Sequence, residues 1–112
     1  MGSNNRFEGK LAEVAGERGR LQGEGWTLWG RLRATKKAGE AATGLMRVER
    51  LRLSDGVGAD RLKMKLNSAL YLGERWEYLF HLGELRIRVW GEERLPEGEY
   101  WVSVPETSLW IF

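Results

Sequence analysis

Between residues 62 and 90 apolar and polar side chains alternate with a period of two, and that constrains this chain more than any other feature. Leu62, Met64 and Leu66 alternate with polar residues, and a second run follows Tyr71-Leu72-Gly73-Glu74. In it Trp76, Tyr78, Phe80 and Leu82 fall on one side, with Glu77 and His81 on the other. Across the tight Gly83-Glu84 break the same period continues through Leu85, Ile87 and Val89, interleaved with Arg86 and Arg88. A helix cannot keep such a repeat on one face, so the segment reads as a hairpin with one wet face. A lone hairpin is marginal in water, so the rest of the chain must cover its apolar side.

At 112 residues the chain suffices for one modest core. Six Trp, three Tyr and three Phe would fill much of it. The absence of Cys excludes disulfides, thiolate metal sites and thiol nucleophiles, and a single His argues against ordinary zinc sites and His-based triads. Eighteen basic and sixteen acidic residues leave a net charge of +2. Because they are mixed along the chain, with no run beyond Lys36-Lys37, the electrostatic case for nucleic acid is weak. No apolar stretch approaches the ~20 residues of a membrane span and no export signal follows Met1, which favours a cytoplasmic protein.

Residues 1–4 read as a cloning remnant and residues 5–112 as one domain, with a flexible turn near 54–60 dividing two subhalves. Gly9, Gly16 and Gly19 oppose a helix at the start, each costing about 1 kcal/mol there. The expected elements are instead a strand over Phe7 to Val14, a turn at Gly16-Glu17-Arg18-Gly19, and a short second strand. A third strand spans about 26–33, residues 34–43 form a connection, and Leu45 to Leu53 is extended. Leu95-Pro96-Glu97-Gly98 is a turn into a strand with Tyr100, Val102 and Val104 on one side, and Leu109 to Phe112 adds a last strand. Short strands at this spacing without a long helix predict an all-β fold, a small antiparallel OB-like β-barrel.

Few motifs survive comparison with plain structural readings. Gly39 and Gly44 have phosphate-loop spacing, but Leu45-Met46 stand where Lys and a hydroxyl are needed. Glu92, Glu93, Glu97, Glu99 and Glu106 read as solvated turn charges. Trp76 shares the apolar register and is assigned to the core, whereas Trp29, Trp90 and Trp101 fall off it and are assigned to a rim or a dimer contact. With the apolar register inside, the wet face offers Glu77, His81, Arg86, Arg88, Trp90 and Trp101 as candidate ligand or partner residues.

Four elements in series resemble the transport-associated, OB-like domain called TOBE, which follows the nucleotide-binding domain in import-type ABC transporter ATPases. Asn5-Arg6-Phe7-Glu8-Gly9-Lys10-Leu11 resembles its "N-x-l-x-G-x-v" entry. Leu45 to Leu53 is similar to "iRPE-x-i-x-l", through Arg47 and Glu49, with Val48 where Pro is usual. Leu70 to Tyr78 resembles "ylG-x-x-x-x-y" through Tyr71 and Gly73, and Leu95 to Val104 resembles "l-x-x-G-x-x-v-x-l" through Gly98.

The resemblance implies a regulatory or solute-sensing module, without ATPase activity of its own, packed on the nucleotide-binding domain of the same chain and against its twofold mate. ATP and magnesium would belong to the full-length subunit and no cofactor to this segment. Permease subunits would be indirect partners at the inner face of the membrane and a small solute a possible ligand, with "LYLGERWEY" closer to polyamine or ferric iron importers than to sugar importers. Two other classes compete. One is a free-standing OB-like binder of single-stranded nucleic acid, opposed by the near-balanced charge; the other is a binder of a small oxyanion such as molybdate. An enzyme has least support, since no nucleophile, metal cluster or cofactor loop finds its partners.

Overall fold

In the computed structural model, which describes residues 4–112, the period of two becomes strand along most of the chain. Four strands come first: β1 (Asn4–Ala15), β2 (Arg18–Gly23), β3 (Trp26–Leu32) and β4 (Ala41–Arg47). A 3-10 turn at Val48–Arg50 leads to β5 (Arg52–Ser54), β6 (Arg61–Tyr71), β7 (Trp76–Leu82), β8 (Leu85–Gly91) and β9 (Gly98–Ser103). A second 3-10 turn, Glu106–Ser108, precedes β10 (Trp110–Ile111).

These strands make two sheets. β1, β2, β3, β10 and β4 close into a barrel in that order, and a five-stranded sheet runs β5-β9-β6-β7-β8. The all-β, OB-like barrel expected from the sequence is therefore present, with one pairing that alternation cannot reveal: β10 lies parallel to β3, Trp110 opposite Arg31 and Ile111 opposite Leu32. The second sheet is inserted between β4 and β10. The turn near 54–60 lies within that sheet, between β5 and β6, and Asn4 already belongs to β1, opposite Arg47. Met1 to Ser3, read as part of a cloning remnant, lie outside the described residues. Among the described residues no helix is long and apolar enough to cross a membrane.

Local chemistry explains the departures in detail. The first reversal is tighter than expected: Gly16 at φ 64° turns the chain, and Arg18 and Gly19 already pair with Ala15 and Val14. Ala41, Ala42 and Thr43, expected in a connection, instead extend β4 against Lys10, Gly9 and Glu8. Small side chains suit that site because Gly9 packs so tightly on β2 that an added Cβ would stand 2.2 Å from the Gln22 carbonyl oxygen. The run from Leu45 to Leu53 is broken by the 3-10 turn, whose Val48 is fully buried and anchors the crossing from barrel to sheet.

Both layers share one apolar core. Phe7, Leu21, Leu28, Leu109 and Ile111 from the barrel join Met64, Phe80, Ile87, Val89 and Val102 from the sheet in a single cluster. Asn5 is the buried polar residue of this junction. Its amide donates to the Arg88 carbonyl at 2.7 Å and accepts the Arg88 N–H at 2.8 Å, so it offers edge strand β8 the donor and acceptor of a missing neighbour.

The return to the barrel is clasped from outside. Arg18 donates from Nε and Nη2 to the Glu106 carboxylate at 2.5 and 3.0 Å, and its guanidinium lies 4.3 Å from the centre of the Trp29 ring. The hydrogen bond from Arg18 holds the Glu106 carboxyl below the usual carboxylate range. A depressed folded-state pKa contributes stability above the unfolded value and loses it as pH falls through the folded one. In thermal melts from pH 7 downward, the native chain should lose stability faster than Glu106→Gln below the ordinary glutamate range. The gap should be small, because the pair is solvent-exposed and salt-screened.

Candidate functional site

The inserted sheet has one face on the core and one bare, and cross-strand register decides what the bare face carries. Lys65 lies between Glu99 of β9 and His81 of β7, and His81 lies opposite Arg86 of β8, forming one row. In the next rows Leu79 stands between Ser68 and Arg88, and Glu77 between Leu70 and Trp90. A bulge between Leu66 and Ser68 takes up one residue, which keeps Leu66 inward and Leu70 outward. Directly opposed residues point to the same side of an antiparallel pair, so all of these share the solvent face.

The candidates Glu77, His81, Arg86, Arg88 and Trp90 are thus brought together on β7 and β8. Trp101 belongs to the same face but lies apart on β9, opposite Lys63 on one side and Ser54 on the other. Trp90 is committed locally: its indole N–H donates to Glu77 at 3.1 Å, and the Arg75 guanidinium lies 4.2 Å from its ring centre. Glu77 also faces Arg88 at 3.8 Å. His81 is half-buried, with Nδ1 buried and without a hydrogen-bond partner among the described residues.

The family-motif residues occupy joints instead. Arg47 ends β4 and pairs with Glu49 of the following turn at 3.6 Å, where the chain leaves the barrel. Tyr71 ends β6, its ring 5.2 Å from that of Trp76, and its hydroxyl donates to the Gly73 carbonyl at 2.8 Å. Gly73 has φ 100°, a conformation that L side chains adopt only under strain, and Gly98 opens β9. None of these residues faces the bare side as a cluster.

Sequence reasoning did not place Lys63, Lys65, Leu70 and Leu79 in the site. The signal was present, since Lys63 and Lys65 alternate with buried Leu62, Met64 and Leu66, but only strand pairing sets Lys65 beside His81, which faces Arg86, and Lys63 opposite Trp101. A second unforeseen feature is a cleft of about 510 Å³ at the barrel, lined by Leu45, Arg47, Arg50, Thr107, Ser108 and Trp110. The Arg33 guanidinium covers the Trp110 ring at 4.2 Å. Among the described residues no three His, Asp or Glu side chains gather where they would hold a metal ion.

Barrel and face together define a small all-β protein: an OB-like barrel carrying an inserted sheet with a bare, predominantly basic surface. No family model matches the chain, and a search of curated proteins found no match.

Proposed function

We propose that the chain is a TOBE-like regulatory module of the ATP-binding subunit of an import-type ABC transporter, in the branch that takes up polyamines or ferric iron. One observation supports this reading above others: the residues matching the family pattern are those the fold needs at its joints. Asn5 of the entry element ties β1 to β8, and Gly9 two turns of the pleat later has no room for a side chain against Gln22. Arg47 and Glu49 pair where the barrel passes the chain to the sheet, and Gly73 makes the left-handed turn between β6 and β7.

In this reading the module acts through differential binding. A solute or partner changes transport only if it favours one arrangement of the ATPase dimer over another, and a coupling of about 1 to 3 kcal/mol shifts the balance several-fold. The nucleotide chemistry resides upstream. Titration of the isolated chain with ATP and magnesium should therefore give neither binding nor turnover. In the full subunit assembled with its permease, deleting the module should leave basal ATP turnover intact and abolish its response to solute or regulator. ATP turnover by the isolated chain, or a native polypeptide that lacks a nucleotide-binding domain, would falsify the proposal.

A further inference from the structure

The bare face of the inserted sheet is more one-sided in charge than the sequence as a whole. Register places Lys63, Lys65, Arg86 and Arg88 on it, with Arg52 and Arg61 continuing toward the β5 edge, against Glu77 and Glu99 alone. The two acids engage Arg88 at 3.8 Å and Lys63 at 3.5 Å, while Lys65 and Arg86 have no carboxylate partner among the described residues. Beside this basic field the same sheet exposes leucines. Leu70 and Leu79, opposite Glu77 and Arg88, are 59 and 41% exposed, and Leu72, 46% exposed, follows in the β6–β7 turn, while Tyr71 pairs with Trp76 in the opposite register.

Three occupants fit such a surface poorly. A second copy placed on it by a twofold axis would set one basic field against another, which like-charge repulsion opposes. A small ligand would meet open strand surface there, since Leu70 and Leu79 are broadly solvent-exposed. Single-stranded nucleic acid needs open rings to stack on, yet the Trp90 ring is covered by Arg75 and its N–H is used by Glu77, leaving Trp101 at the far side. Exposed leucines beside lysines and arginines match the two signals of a peripheral membrane contact, apolar insertion and attraction to anionic headgroups.

We infer that this face docks on an anionic lipid bilayer, with Leu70 and Leu79 entering the headgroup region and Lys63, Lys65, Arg86 and Arg88 meeting lipid phosphates. The sheet is broad enough for a planar contact, since five strands at about 4.8 Å spacing present a surface roughly 20 Å wide. The inference goes beyond the transporter reading and does not need it, because the chain alone carries every residue involved.

Co-sedimentation of the intact chain with vesicles tests this directly. Binding is expected to vesicles of phosphatidylcholine with about 30% phosphatidylglycerol and not to phosphatidylcholine alone, and should disappear near 0.5 M salt, roughly. Lys63→Gln with Lys65→Gln, and Arg86→Gln with Arg88→Gln, should each weaken binding about 25-fold, near fivefold per charge. Leu70→Ser with Leu79→Ser should weaken it about tenfold while keeping the salt dependence. All are surface changes, and an unaltered near-ultraviolet dichroism spectrum certifies the fold. Arg31→Gln with Arg33→Gln on the barrel should leave binding unchanged. Equal binding to neutral vesicles, no binding to either, or indifference to the face substitutions overturns the inference. So does tighter, face-dependent binding of a single-stranded oligonucleotide where anionic vesicles are not bound.

Discussion

Deleting Leu109 to Phe112 is expected to unfold the chain. Leu109 and Ile111 are fully buried, and removing side chains of this size from a core costs about 2 to 5 kcal/mol each. The backbone loss is as serious. The N–H groups of Arg31 and Arg33 donate to the carbonyls of Leu109 and Ile111, and Thr43 and Phe112 exchange two further bonds, at 2.8 to 2.9 Å. At about 1 kcal/mol net for each bond, the total reaches roughly 8 to 14 kcal/mol, comparable to the whole stability of an ordinary domain. Far-ultraviolet dichroism of the truncated chain should show no cooperative melt, whereas Ile111→Ala should still melt cooperatively at lower temperature. A truncated chain that melts within about 5 °C of the native one would show that β10 does not close the barrel.

Asn5→Ala should have the largest effect of any single polar substitution. The Arg88 N–H and carbonyl would lose their partners at a site where the Asn5 side chain is only 3% exposed. An orphaned buried group costs about 1 to 3 kcal/mol, so two place the loss near 2 to 6 kcal/mol and lower the melting temperature by about 10 °C or more. Asn5→Asp separates donor from acceptor. The carboxylate still accepts from the Arg88 N–H but sets a buried charge against the Arg88 carbonyl, which raises its pKa in the folded state. That variant should be less stable than Asn5→Ala at neutral pH and regain stability as pH falls and the carboxyl can donate. A melt of Asn5→Asp that does not change with pH would count against this geometry.

Much of the fold could be read from alternation alone, because most strands bury the apolar residues that alternate in them, Leu53 of β5 being left exposed. The β7–β8 hairpin turns at Gly83-Glu84 as the period demands, and Tyr78 and Phe80 are buried as their register requires, while Trp76 is only half-buried against the core. What escaped was long-range. Nothing local in Trp110-Ile111 says that its neighbour is β3, or that the pairing is parallel. The basic face escaped for a related reason. Counted along the chain, acids and bases are interleaved, but the acids at Glu74, Glu84, Glu92, Glu93 and Glu97 sit in turns, while the lysines and arginines of β6 and β8 alternate with core residues. Segregation exists only after pairing. Asn5 escaped because a short polar residue near a chain start resembles a solvated end until the edge of β8 is placed beside it.

The parallel closing strand also governs how the molecule assembles in time. β3 and its partner β10 are separated in sequence by the entire inserted sheet, so the last barrel seam must wait for a long segment to be ordered first. Loop-closure entropy falls only slowly as that segment condenses, and folds dominated by such distant pairings fold in milliseconds to seconds. Until the seam forms, β3 and β4 each keep an unpaired hydrogen-bonding edge, a feature prone to pairing with another chain. The insertion that gives the protein its bare face therefore sets its slowest folding step, and the interval before that step is when the chain most needs dilution or a chaperone.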